Sequence, residues 1–431
     1  MSLNVRSMVV VFVPLSLVLL VATLRWHVPM MLWDHLDLVP VYQAWQEGSL
    51  AQSGFWSIHH GSHVHAAAYA VLLVTTEVSG GQTWLDCLAS WGLLVGYAGI
   101  VFAMAKKTLA CGSRWWGVAV IALALYPGHL ANLQWGWQVA VFLCLLGAAA
   151  TIACLTSKSL TWPLNVLALV AAGLAYSSFA TGIGLMPVAA VLICLRRDLR
   201  WVDRTMMLAP WFGLGILAVI QFGAVSAADS IQAVPSPLGL VHYALNFIGG
   251  GVLRFATDVA PWLGVVALAT GMNSFWVARR DPSSFPWLGF LLFGAASACL
   301  TALGRFGSFG VDHAFVTRYV SFSSVFWLGW FGLMAVAFRS RSPAARRWYA
   351  SLAVAVAVFA LANALHLMKK ASVVAQRSGE VAAAIRSTYP RVDEALLREI
   401  YFDQPQAASE RLEILKRNSF APFRDSEVPE K

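Results

Sequence analysis

The feature that most constrains this chain is a succession of apolar runs of roughly 20 residues, separated by short polar connections, beginning with residues 8–24. A water-soluble fold could not bury that much apolar surface, so lipid must be part of the solvent. In lipid every backbone N–H and C=O has to be paired internally. Barrel strands would alternate weakly over about 10 residues, and these runs do not alternate. They are expected to be helices. Charged residues make up only 12% of the chain, against about 25% in soluble domains, and the two facts agree.

Basic residues then set the topology. The formal net charge of +9 lies in short clusters between apolar runs, which is how a membrane protein fixes its orientation and not how a chain tracks nucleic acid. The first run lacks a small-x-small cleavage site before Arg25 and Trp26 and reads as an uncleaved helix. The run at 65–80 reads as a juxtamembrane or re-entrant helix, because a crossing there would invert every later basic cluster. With that assignment Lys106, Lys107, Arg114, Lys158, Arg196, Arg197, Arg279, Arg280, Arg339 and Arg341 fall on the inner side, with the amino terminus. The outer loops keep only Arg25, Arg254, Arg305 and Arg318 before the tail. The expected fold is all-α and polytopic, with about eleven transmembrane helices and a long first outer loop carrying juxtamembrane helices. All ten histidines fall at or near the outer face, although histidine played no part in the sorting.

Residues 1–367 are expected to form the transmembrane module, with its first outer loop at 25–82, and 368–431 a small helical tail on the outer side. In the tail, Pro390 opens a stretch with Val392, Leu396, Leu397 and Ile400 on one face, and 409–417 suits a second short helix. The six cysteines are scattered through apolar segments without CxxC spacing and are expected to be buried small hydrophobes.

Chemically capable residues gather in three outer stretches. The first loop carries Asp34 and Asp37, three apart and on one face of a helical turn, suited to a general base and its partner; the bland alternative is a helix cap and a solvated carboxylate. Further along are His59, His60, His63 and His65, which suit a sugar or phosphate better than a metal, since no pattern such as HExxH accompanies them. The second loop interleaves amides and indoles: Asn132, Gln134, Trp135 and Gln138. Indole faces stack on the apolar face of a sugar while amides bond its hydroxyls; the rival is an interfacial aromatic belt. The nearby residues 176–182 are expected to break a helix at the same depth. The third stretch holds Arg305, then Asp312 and His313, then Arg318 and Tyr319. Arginine at an outer helix end runs against the positive-inside trend, and guanidinium is the preferred partner of phosphate. Arg254 with Asp258 and His242 suggests a further outer patch.

In the order of Trp33 and Asp34, the histidine segment at 59–65, Asn132 to Gly136, Ser178, and Arg305 with Arg318 and Tyr319, the chain resembles the GT-C superfamily of polytopic glycosyltransferases. The resemblance covers most of the membrane part. It implies a polyprenyl-phosphate-linked sugar donor, a glycan or lipid acceptor, and a site on the periplasmic face of a bacterial inner membrane. The family's acidic position would map onto Asp34, with Asp37 second, although the spacing here is D-x-x-D. No acidic residue stands in the second loop, unlike the metal-dependent members, so the resemblance implies a reaction without metal or other cofactor. The expected reaction is an inverting sugar transfer. Asp34 or Asp37 acts as base, Arg305, Arg318 and Tyr319 bind phosphate, and His59, His60, His63, Asn132, Gln134, Trp135, Gln138, Asp312 and His313 bind sugar or acceptor. The rivals are a polysaccharide polymerase or ligase and, in another class, a lipid-linked sugar transporter or flippase. A transporter would want ionisable residues in the middle of spans.

Overall fold

The computed structural model describes residues 3–53, 55–56, 58–59, 63–109, 114–226, 236–402 and 404–424. Among them the chain is almost entirely helical. The helices are α1 (Leu3–Arg25), α2 (Leu38–Gln46), α3 (Ala66–Ser79), α4 (Trp84–Thr108), α5 (Arg114–Ala124), α6 (Leu130–Leu133), α7 (Val139–Leu155), α8 (Trp162–Tyr176) and α9 (Leu185–Cys194). They continue with α10 (Trp201–Ser226), α11 (Pro237–Gly250), α12 (Ala260–Ala278), α13 (Phe285–Phe309), α14 (Val320–Phe338), α15 (Pro343–Thr388), α16 (Glu394–Ile400) and α17 (Pro405–Arg417). Short 3-10 turns fill several connections, and one two-residue antiparallel pair, Ile58–His59 against His63–Val64, interrupts the first loop.

Among the described residues, eight helical segments are long and apolar enough to cross a membrane: Val5–Arg25, Trp84–Thr108, Trp115–Leu133, Gly136–Leu155, Trp201–Ile220, Pro282–Phe309, Thr317–Phe338 and Pro343–Thr388. The chain is a polytopic membrane protein. The difference from eleven lies in apolar helices of 10–17 residues, Trp162–Tyr176 and Ala180–Cys194, and in α12, 19 residues long. Helix α3 rises about 21 Å over its 14 residues, short of the ~30 Å hydrocarbon core.

Sequence character sorts the helices by depth. α14 is apolar on every side, and every residue from Val320 to Ala337 is buried, so it is the central pillar. Its two indole N–H groups still need acceptors: Trp327 Nε1 donates to Ile248 O at 2.8 Å and Trp330 Nε1 to Thr270 Oγ1 at 2.9 Å. The windows of α1, α10 and α15 are only 28%, 17% and 28% buried, which puts them on the lipid-facing perimeter. Cys194 and Cys299 are likewise exposed, where burial was expected, while Cys87 and Cys144 are buried.

Without a hydrophobic drive between helices in lipid, close backbone approach has to supply the adhesion. At the α13–α14 crossing a Cβ on Gly329 would stand 2.2 Å from Leu291 N and 2.6 Å from Trp287 O, both backbone atoms that cannot step aside. Gly329→Val is therefore expected to abolish the folded state. Size-exclusion of the detergent-extracted variant should show aggregate only; a monodisperse wild-type-like peak would contradict this packing.

The bundle has two chemically different ends. At one, Arg196 Nη1 donates to Leu155 O and Ser157 O (3.2 and 2.6 Å), Arg339 reaches Asp281 at 3.9 Å, and Trp287 Nε1 meets Thr108 Oγ1 at 3.2 Å. The basic clusters lie beside these contacts. The first loop, the second loop, the α13–α14 connection and the tail meet at the other end.

At that end a second hydrophobic core stands apart from the bundle core. It joins Val28, Met30, Leu36, Val39 and Tyr42 of the first loop to Leu72 of α3, Trp137 of the second loop, and Ile385, Ile400, Leu412 and Phe420 of the tail. The expected boundary between 367 and 368 falls inside α15, a continuous helix of 46 residues that rises about 69 Å and carries the chain out of the bundle. The tail is thus packed into the cap that the first loop begins, with α16 and α17 where two short helices were expected.

Candidate functional site

Asp34 and Asp37 sit on a single 3-10 turn, Trp33–Asp37. With three residues per turn the two carboxylates are eclipsed on one side. The turn opens on Trp33 at φ +54°, a left-handed conformation that a bulky side chain adopts only where its surroundings hold it. Two contacts hold it: the indole packs edge-on against Trp135 at 5.3 Å, and its Nε1 donates to Glu399 O at 3.2 Å. First loop, second loop and tail therefore meet at the residue before Asp34.

The two carboxylates have different partners. Arg318 Nη1 lies 3.9 Å from Asp34 Oδ2, with both side chains partly exposed. Asp37 is taken by the tail: Tyr401 Oη donates to Oδ1 at 2.7 Å, and Arg411 Nη1 lies 2.7 Å from the same oxygen. The Arg411 guanidinium stacks on the Tyr401 ring at 3.9 Å. Burial and the hydrogen bond to Asp37 push the Tyr401 phenol up to about 12, so it remains a donor. A cleft of about 390 Å³ opens beside this cluster, lined by Asp37, Val41, Tyr69, Tyr401 and Arg411 among others. Removing the guanidinium in Arg411→Ala should free the tail. Limited proteolysis within 394–424 is expected to speed up about tenfold or more, with the bundle intact. Unchanged cleavage would mean that the apolar cap alone holds the tail.

Around Arg318 the third stretch brings His313 and Arg305 near one another. His313 lies under the electrostatic influence of both Arg318 and Arg305. Burial first, then those two cations, hold its imidazole at about 4, so it is neutral at physiological pH. Its Nδ1 meets Tyr243 Oη at 3.2 Å, its ring stacks on Phe309 at 4.5 Å, and Tyr319 stands edge-on at 5.6 Å. The Arg318 guanidinium sits 5.6 Å from the Tyr319 ring centroid, and Arg305 is half-buried near Phe309. Asp312 points outward, exposed on the same turn.

The second loop is organised differently from its expected role. Asn132 is fully buried, and its Nδ2 donates to Ser321 Oγ at 2.7 Å and Arg318 O at 3.0 Å. Gln134 is buried, with its amide nitrogen on Ala371 O at 2.9 Å and Trp26 O at 3.3 Å. Gln138 is also buried. Asn132 and Gln134 tie separate elements together, and Asn132 positions the backbone that carries Arg318. Trp135 alone of this set is partly exposed. The side chains of His59 and His63, and all of His60, lie outside the described residues. Arg254, expected near Asp258 and His242, instead turns inward, while those two are exposed.

One group was missed. Asp86, in the first turn of α4, is 1% exposed, accepts from Thr75 Oγ1 and stands 3.6 Å from His35 Nε2. Burial drives the His35 ring down to about 3, keeping it neutral. Gly136 packs directly over the pair; a Cβ there would lie 2.6 Å from Asp86 Cβ and 2.9 Å from His35 Cε1. The signal was available in principle: an acidic residue inside an apolar span is itself a reason to look.

No protein-family model, curated protein or solved structure matches this chain.

Proposed function

We propose that the chain is a membrane glycosyltransferase of GT-C type. It would move one sugar from a polyprenyl-phosphate carrier to an acceptor hydroxyl at the periplasmic face of a bacterial inner membrane. The observation that carries the reading is the approach of Asp34 to Arg318, with Arg305 and His313 beside it, at the end of the bundle away from the basic clusters. An inverting transfer needs a base and a phosphate-binding cation at one site, and residues 284 positions apart in sequence are brought together here, in a pair that parts to admit the sugar.

In this reading Asp34 takes the proton of the acceptor hydroxyl, whose oxygen attacks the anomeric carbon from the face opposite the phosphate. The bond from that carbon to the phosphate oxygen breaks, and Arg318 and Arg305 stabilise the charge gathering on the leaving lipid phosphate. Asp37, held by Tyr401 and Arg411, supports the turn. Trp135 offers a partly exposed indole for the sugar, and grooves between perimeter helices take the prenyl chain. Counting α8, the 180–194 segment and α12 as crossings, with α3 and α11 as non-crossing helices, gives eleven spans. The amino terminus is then cytoplasmic and the tail periplasmic, in line with the positive-inside rule.

The test is a transfer assay with purified protein in lipid vesicles. Labelled polyprenyl-monophosphate sugar and polyprenyl-pyrophosphate oligosaccharide are supplied separately. Transfer from the monophosphate donor is the expected result. Transfer only from the pyrophosphate donor would instead establish the polymerase or ligase reading. Movement of intact donor between leaflets without transfer would establish a flippase.

A further inference from the structure

Arg254 is a buried cation whose charge no described group answers. It lies in the connection between α11 and α12 and is 4% exposed. Nη1 donates to Val316 O at 3.0 Å, and the main-chain N–H donates to Asn363 Oδ1 at 3.2 Å. Nε and Nη2 are buried without an acceptor, and among the described residues no carboxylate pairs with the guanidinium. Burial lowers its pKa only to about 10, so it stays charged at neutral pH. A buried, uncompensated charge is among the costliest arrangements in a fold.

Its surroundings add charge of the same sign. His366 on α15 lies under the electrostatic influence of Lys370, Arg254 and Lys369. Asn363, His366 and Lys370 follow at helical spacing on one face of α15, so the Arg254 contact lies at the base of a basic stripe rising about 10 Å toward the tail. Lys369 and Lys370 are exposed. Phe255 is 47% exposed and stands 6.4 Å from His366, and Trp262, in the first turn of α12, is 71% exposed. Exposed aromatics on a lipid-facing surface mark the depth where acyl chains meet headgroups. The missing partner is therefore an anion, it arrives at headgroup depth, and it is flanked by apolar surface.

We infer that Arg254, His366, Lys369 and Lys370 form a binding site for the phosphate of a lipid headgroup. The exposed ammonium groups meet the phosphate, and the guanidinium behind them supplies a field that low dielectric strengthens. The site does not depend on the proposed transferase activity, and His313, Arg305 and Arg318 take no part in it. Two lipids bear this chemistry at such a surface, an anionic phospholipid of the bilayer and a polyprenyl phosphate.

The full chain is reconstituted in phosphatidylcholine alone, with phosphatidylglycerol, and with polyprenyl phosphate; thermal unfolding and lipid retention by native mass spectrometry are measured. At least one phosphate lipid is expected to raise the melting temperature by several degrees, and the responding arm identifies the source. The double variant Lys369→Gln, Lys370→Gln, altered only at exposed positions, is expected to lose roughly tenfold or more in retention of that lipid. Arg254→Met should melt no lower than the wild type in phosphatidylcholine and should not respond to the added lipid. Equal melting in all three bilayers, or a lipid effect that survives the double lysine substitution, overturns the site. If Arg254→Met does not fold, the lysine variant decides.

Discussion

Asp34→Asn is expected to lower transfer by about 10²–10⁴-fold while leaving the protein folded in the membrane, because the amide keeps the shape and loses the ability to take a proton. The neighbouring carboxylate should not rescue it, since Asp37 is held by Tyr401 and Arg411. Asp37→Asn should instead act through the cap. It weakens tail docking, which proteolysis reads, and reduces transfer less than the Asp34 change does. The decisive measurement is single-turnover transfer by both variants at equal folded concentration. Wild-type rates in Asp34→Asn, or a larger loss in Asp37→Asn, would remove Asp34 from its role.

The second large effect is expected at Arg318. Arg318→Gln removes the guanidinium from a partly exposed position, so the bundle should tolerate it. The contact that locks this segment, Asn132 Nδ2 to Arg318 O, is to the backbone and survives the substitution. Loss of a charge-stabilising donor costs about 10²–10³ in turnover, and the loss should fall on turnover more than on acceptor affinity. Arg318→Lys should recover only part of it, because an ammonium point charge does not reproduce a planar fork facing both Asp34 and a phosphate. Full activity in the lysine variant would show that charge alone is needed there. Uniform weakening of donor binding with unchanged turnover would move Arg318 from the reacting phosphate to simple carrier recognition.

Much of this was legible because it is local or statistical. The short α3 could be recognised as unable to fit the charge pattern of a crossing, and residues 176–182 broke a helix where their polarity suggested. Arg305, His313 and Arg318 were close in sequence and stay close in space. The partners of the two carboxylates were not legible. Asp34 meets a residue 284 positions away, and Asp37 meets side chains in α17 and just after α16, whose sequence carries no sign of that destination. The amides of the second loop misled for a physical reason. Asn and Gln beside tryptophan suit sugar binding, yet in lipid the same groups are needed to bridge helices, and Asn132 and Gln134 are spent on that. Asp86 was overlooked because one carboxylate in a helix start reads as a favourable first-turn charge until its burial is seen.

The long α15 and the cap it feeds have a consequence for the order in which the molecule can be made. The turn bearing Asp34 and Asp37 leaves the ribosome early, with α2 and α3. The groups that hold it, Glu399 O, Tyr401 and Arg411, are made more than 360 residues later, and Arg424, which donates to Ser79 O at 2.6 Å, later still. Between the end of the bundle and the synthesis of α17 the chain carries inserted spans and an unfinished cap. A premature stop anywhere before α16 yields a membrane-embedded product lacking these clamps, so synthesis of α16 and α17, and not insertion of the spans, completes the turn that carries the carboxylates.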